Sequence, residues 1–187
     1  MAESTGLALE VIPTHGSGGM PPVTEDTGTF TGNARKKAWA LRTQLGRGAW
    51  ILADDSGLCV NALDGAPGVE SAYYAGPEGD SAANLRKLVG VMRDVPPDRR
   101  QAYFACVLVL IDSEGAEHEF EGRCEGTLRQ APSGVGGFGY DPLFVPDGQP
   151  LTFAELPAET KNALSHRARA WARLATWLRA RLDWRRI

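Results

Sequence analysis

Apolar and polar positions fall into a repeating order of short strands and amphipathic helices. Phe30, Ala34, Ala38, Leu41 and Leu45 recur at helical spacing, with Thr29 placed to cap the helix and Gly46 to end it. Trp50-Ile51-Leu52-Ala53 is an apolar run that predicts a strand delivering Asp54, Asp55 and Ser56 into a turn at Gly57. A second helix follows Asp80, with Leu85, Leu88, Val89 and Met92 on one face. Pro96 and Pro97 break it. Ala102 to Ile111 is nearly continuous in apolar residues and reads as a central strand. Ser113-Glu114-Gly115 predicts a hairpin turn, and His118 to Leu128 alternates with Phe120, Cys124 and Leu128 on one face.

Leu7 to Ile12 and Leu143 to Val145 are apolar enough for short strands. Glu155 to Leu164 reads as a helix with Pro157 in its first turn. The final helix takes Ser165 as its cap and carries Trp171, Leu174, Ala175, Leu178 and Leu182 on its apolar stripe. Its other face carries Arg169, Arg173, Arg179 and Arg181, read as solvated. Lys36 and Lys37 are read the same way, and His118 as a surface residue. Strands alternating with helices, together with one hairpin, predict an α/β fold with a mixed central β-sheet flanked by helices.

Composition changes this picture little. The chain has 187 residues, 43% hydrophobic and 23% charged, with a net charge of −3. That is ordinary for a single soluble domain and argues against a nucleic-acid surface. No run reaches the roughly 18 apolar residues of a membrane span. Cys59, Cys106 and Cys124 are odd in number with no CxxC spacing, so reduced thiols and a cytoplasmic protein are expected.

Polar chemistry concentrates at Glu25-Asp26, at Asp54-Asp55-Ser56, in the glycine-rich stretch Phe138-Gly139-Tyr140-Asp141, and at Lys161 with His166-Arg167. Each alone has a plain structural explanation as turn, cap or core. Together they hold the parts of a nucleoside-triphosphate site. The acids can hold Mg²⁺, an aromatic face can stack a base, and Lys and Arg can only donate hydrogen bonds.

The segments Ala53-Asp54-Asp55-Ser56-Gly57-Leu58, Gly65-Ala66-Pro67-Gly68-Val69, Tyr74-Ala75-Gly76, Gly136-Gly137-Phe138-Gly139-Tyr140-Asp141-Pro142 and Ser165-His166-Arg167 come in one order and spacing. In these the chain resembles the inosine triphosphate pyrophosphatases, which hydrolyse dITP, ITP and XTP to the monophosphate and pyrophosphate. The resemblance implies one pyrophosphatase domain over residues 1–187, two-lobed with a cleft, acting as a homodimer on a small purine nucleoside triphosphate, with no nucleic acid and no membrane as partner. It implies Asp55 as the catalytic acid and a Mg²⁺ ligand, Glu25 as the second ligand, and Ser56 on the substrate. It implies Phe138, Gly139, Tyr140 and Asp141 around the base, with Phe138 stacking, and Lys161, His166 and Arg167 at the purine edge.

A donor-rich pocket suits the C6 oxygen of a deaminated purine and is left unpaired against the amino group of adenine. The family's first strand and its Thr/Ser-x-Asn-x-x-Lys motif have no counterpart, so the chain is expected to be N-terminally truncated relative to the family. The alternative reading is a non-catalytic nucleotide-binding relative. Gly32 stands where a Glu would complete a capping box, which predicts a small loss of helix stability.

Overall fold

The computed structural model describes residues 10–183. Its elements run α1 (Phe30–Leu45), β1 (Ile51–Val60), α2 (Ser81–Val91), β2 (Gln101–Ile111), β3 (Glu117–Leu128), β4 (Phe144–Pro146), α3 (Ala158–Leu164) and α4 (His166–Asp183). The four strands form one sheet in the order β1-β2-β3-β4. The α/β class is the one expected, and the four described strands form an antiparallel sheet. β4 pairs antiparallel to the end of β3, with Gly126, Thr127 and Leu128 opposite Pro146, Val145 and Phe144. The expected strand at Leu7 to Ile12 lies largely outside the described residues, and its described part, 10–12, is not strand.

The chain divides into two compact units, with β1, β2 and β3 each contributing one part to each. The first comprises the described residues through Asp55, Val107–Glu121, and those from Ala170 onward. Its core is α1 against the sheet: Ala34, Ala38 and Leu41 are buried with Ile51, Val107, Val109 and Ile111. Thr29 caps α1 by accepting from the Gly32 N–H at 3.0 Å, and Gly46 ends it. Both ends are as the sequence predicts.

Gly32 is not a defect, however. A Cβ there would lie 2.6 Å from Thr27 Cβ and 2.8 Å from Thr29 Oγ1. The capping-box glutamate is excluded by the packing of Thr27 over the helix start. Asp112 fastens the hairpin by accepting from the Glu114 and Ala116 N–H groups, both at 3.0 Å. It also pairs with His118 at 3.1 Å and Arg181 at 3.3 Å. His118 is therefore a half-buried fastener against the Trp177 ring, 4.2 Å away, and not the surface residue expected.

The second unit comprises Ser56–Cys106 and Gly122–Arg169. Its core gathers Leu58, Val60, Leu88, Met92, Phe104, Leu128, Leu143, Phe144 and Phe153. Phe104 meets Phe144 edge-on at 4.9 Å and stacks with Phe153 at 6.0 Å. Asp80 caps α2 through the Ala82 and Ala83 N–H groups, at 2.8 and 3.1 Å. Buried Arg100 binds the carbonyls of Met92, Val95, Leu128 and Arg129, tying the end of α2 to β3. A buried guanidinium satisfied by four carbonyls does not leave its donors unpaired.

Two boundaries differ from expectation. β1 continues through Asp54, Asp55, Ser56 and Gly57 to Val60, so the acids lie in mid-strand rather than in a turn. The buried run Leu58-Cys59-Val60 outweighs the turn bias of Ser-Gly. α3 begins at Ala158, after Pro157. Glu155 instead accepts from Ser133 Oγ and the Thr152 N–H, and pairs with Arg129.

Candidate active site

In the first unit, α1 and β1 build an acid–lysine cluster. Alternation along β1 sends Asp55 inward, where it is 8% exposed. Lys37, two turns into α1, reaches it. Its Nζ lies 2.9 Å from Asp55 Oδ1, 2.8 Å from Glu25 Oε2 and 3.2 Å from the Asp54 carbonyl. One ammonium thus gathers Glu25 and Asp55, two residues the sequence reading assigned to the site. Burial works against the Lys37 charge, but Glu25 and Asp55 outweigh it and hold its pKa above the ordinary lysine value. Burial pushes the Asp55 carboxyl above its usual range, against the opposing pull of Lys37.

Asn33, one turn before Lys37 on the same helical face, is fully buried. Its Oδ1 accepts from Thr27 Oγ1 at 2.8 Å and the Thr27 N–H at 3.3 Å. Its Nδ2 and Asp55 Oδ2 are both buried, and the Asn33 side chain acts as a hydrogen-bond donor toward Asp55 that favours the charged carboxylate.

In the second unit, an aromatic–cation cluster forms around Phe138. Arg167 donates to Ser56 Oγ at 2.9 Å, and its guanidinium lies 5.7 Å from the centre of the Phe138 ring. Lys161 Nζ lies 4.7 Å from the same centre and pairs with Asp141. Phe138 itself is 66% exposed, as a stacking face must be. Asp141 is buried and also accepts from the Phe138 N–H at 2.7 Å, folding the loop back on itself. A Cβ at Gly137, where φ is 72°, would drive into the Asp141 carboxylate. Gly139 offers backbone alone.

Tyr140 is buried, and its hydroxyl donates to the Ser71 carbonyl at 2.9 Å. His166 stacks on Phe104 at 4.9 Å and 12°, with its Nδ1 buried and without a hydrogen-bond partner. Burial, then the charges of Arg167 and Lys161, pull its pKa down to about 3, so the imidazole is neutral.

Most of the sequence answers to one family. The model of the Ham1 family matches residues 2–177. The chain belongs to the Ham1 family. The dITP/XTP pyrophosphatase of Opitutus terrae is 61% identical over 94% of this chain and 87% of its own length. That of Streptomyces coelicolor is 46% identical over 93% and 86%. The HAM1 protein of Coxiella burnetii superposes with a TM-score of 0.85 at 37% identity, covering 94% of this chain and 88% of the other. The Ham1 protein of Staphylococcus aureus gives 0.81 at 35% identity over 86% and 82%.

Two residues of this Ham1 site were missed in sequence. Lys37 was read as part of a solvated face, yet it is the bridge between Glu25 and Asp55. The sequence reading gives Asn33 no role of its own. The available signal was periodicity: Asn33 and Lys37 continue the buried stripe of Ala34, Ala38 and Leu41, where a polar residue calls for a partner.

Proposed function

We propose that this Ham1 protein hydrolyses deaminated purine nucleoside triphosphates (dITP, ITP and XTP) to the monophosphate and pyrophosphate. The observation that carries this reading is the junction at Asp55-Ser56. A buried carboxylate held by a lysine is followed in the chain by a serine held by Arg167 beside an exposed aromatic ring. Asp55 and Ser56, the acid and the residue that receives Arg167, are thus consecutive in β1. The names of the Opitutus and Streptomyces relatives support the same reading.

The family resemblance implies Mg²⁺, and the donor set fits it. Glu25 and Asp55 already converge on a shared cation, the Lys37 ammonium. Mg²⁺ needs only one or two carboxylates when substrate phosphates and water supply the rest. That mode suits a chain whose described residues include no group of three His, Cys, Asp or Glu able to hold a metal. Glu25 and Asp55 would hold the ion. When bound, it would neutralise charge on the phosphates and on the departing pyrophosphate.

The chain's own groups do the rest. Asp55 takes the proton of the water that attacks the α-phosphorus, and its raised pKa brings it nearer the working pH of a general base. Lys37 keeps Asp55 oriented and offers its charge to phosphate oxygens. Phe138 stacks the base, on a loop braced by Tyr140 and Asp141 with Gly139 exposing its backbone. Lys161, Arg167 and neutral His166 present N–H groups to the C6 oxygen, and an adenine amino group would leave them unpaired. We propose, from the resemblance, a cytoplasmic homodimer and a single functional domain. The three cysteines are buried thiols outside any disulfide, which fits a reducing compartment.

The test is pyrophosphate release from dITP, XTP, dATP and dGTP with and without Mg²⁺. Release from dITP and XTP at least about 10²-fold faster than from dATP, lost in Asp55→Asn, is expected. Binding of dITP without turnover would instead make the protein a nucleotide-binding relative.

A further inference from the structure

We propose that Glu155 is a positioning residue that fixes where Phe138 stands relative to Lys161, and so sets the grip on the base. The inference rests on the base-site reading above, in which Phe138 stacks and Lys161 donates. Glu155 acts through the loop that carries the ring. That loop, residues 130–139, has glycine at 134, 136, 137 and 139. Glycine keeps more backbone freedom than any other residue, so the ring stands where the loop's anchors put it. Asp141 anchors the far end through the Phe138 N–H. Glu155 anchors the root.

The root is held by one carboxylate with three partners. Glu155 accepts from Ser133 Oγ and, at 2.8 Å, from the Thr152 N–H, and it pairs with Arg129 at 3.1 Å. The Ser133 hydroxyl first, then the Thr152 N–H, hold its pKa down to about 2, so it stays ionised and its hydrogen bonds stay charge-assisted. Buried Thr152 closes the ring of contacts by donating from Oγ1 to the Ser133 carbonyl at 2.9 Å. Beside this latch the two backbones touch. The Gly136 N–H donates to the Ala154 carbonyl at 3.0 Å. A Cβ at Gly134 would lie 2.6 Å from the Ala154 carbonyl carbon and 2.8 Å from the Glu155 nitrogen.

The segment that receives the loop also supports the lysine. Phe153 is buried against Phe104 and Phe144. Lys161 Nζ lies 5.7 Å from the centre of the Phe153 ring and 4.7 Å from that of Phe138. One ring belongs to the segment and the other to the loop, and Glu155 ties the two together. Releasing the latch frees Phe138 to move relative to Lys161, whereas the phosphate-end acids lie on other elements.

Kinetics and binding test the proposal in Ser133→Ala and Glu155→Gln, each checked for a native melting transition. KM for dITP should rise about 10-fold with kcat held within about threefold. Affinity for inosine monophosphate, measured by calorimetry, should fall about 10-fold. A latch that serves stability alone would lower Tm and leave KM and this affinity where they are, and that result overturns the proposal. So does a lowered kcat with KM held. If Glu155→Gln does not fold, Ser133→Ala decides alone. A parent chain that releases no pyrophosphate defeats the pyrophosphatase reading, and the binding of inosine monophosphate then decides the role of Glu155 separately. Should that parent bind no inosine monophosphate either, the base site and the role of Glu155 fall together.

Discussion

Arg167 and Ser56, 111 positions apart in sequence, are joined by a hydrogen bond of 2.9 Å. It fixes the guanidinium at the end of the acidic strand segment while the same group lies beside Phe138. Hydrogen bonds to charged groups contribute about 1.5–3 kcal/mol, so Arg167→Ala is expected to raise KM for XTP about 10–100-fold. Arg167→Lys should recover little, because an ammonium lacks the planar fork. Ser56→Ala, which leaves the guanidinium its ring contact, should cost less. Initial rates on XTP and dITP for the three variants rank these effects.

Lys37 is the cation shared by Glu25 and Asp55. Removing it by Lys37→Met withdraws the charge that opposes the burial of Asp55, so the Asp55 pKa must rise further. The acid limb of the pH profile of kcat/KM should move upward, and the maximal rate should fall about 10²-fold or more. An unmoved acid limb would separate Lys37 from Asp55.

His166 has a folded-state pKa of about 3 against an ordinary value of 6.5. The unfolded chain therefore binds the proton first as pH falls. The stability due to the neutral imidazole is full above pH 6.5 and is lost progressively as pH drops toward about 3. His166→Asn should flatten the acid side of the stability curve. Imidazole resonances in NMR should show one histidine that does not titrate between pH 8 and 5.

Gly32 packs under Thr27. Gly32→Ala would ordinarily favour a helix, yet here it is expected to destabilise by about 1–3 kcal/mol through overpacking. For a chain of this size each 1 kcal/mol shifts Tm by roughly 2–4 °C. Thermal unfolding of the variant checks this, and the double change with Thr27→Gly, which removes both the hydroxyl and the Cβ that a side chain at 32 would meet, should restore part of the loss.

The sequence carried the elements whose pattern is local. The caps Thr29 and Asp80 and the continuous run of β2 were readable because each depends on neighbours within one turn or one strand. The acid segment was misread as a turn because Ser56-Gly57 has turn chemistry, while burial of Leu58 to Val60 keeps the strand going. Motif resemblance marked Asp55, Phe138, Lys161 and Arg167, but could not show that Tyr140 and Asp141 brace the loop. Lys37 was hidden because its value lies in two carboxylates, Glu25 and Asp55, twelve and eighteen positions away. A surface lysine and a buried bridging lysine look alike in a one-dimensional pattern.

The Asp141 carboxylate occupies the volume that a side chain at position 137 would need. Those two positions are consequently a single evolutionary unit. A library that randomises the loop one codon at a time should recover only glycine at 137. Any other residue there should emerge only beside a shortened partner at 141, and with it a Lys161 released to seek a new counter-charge.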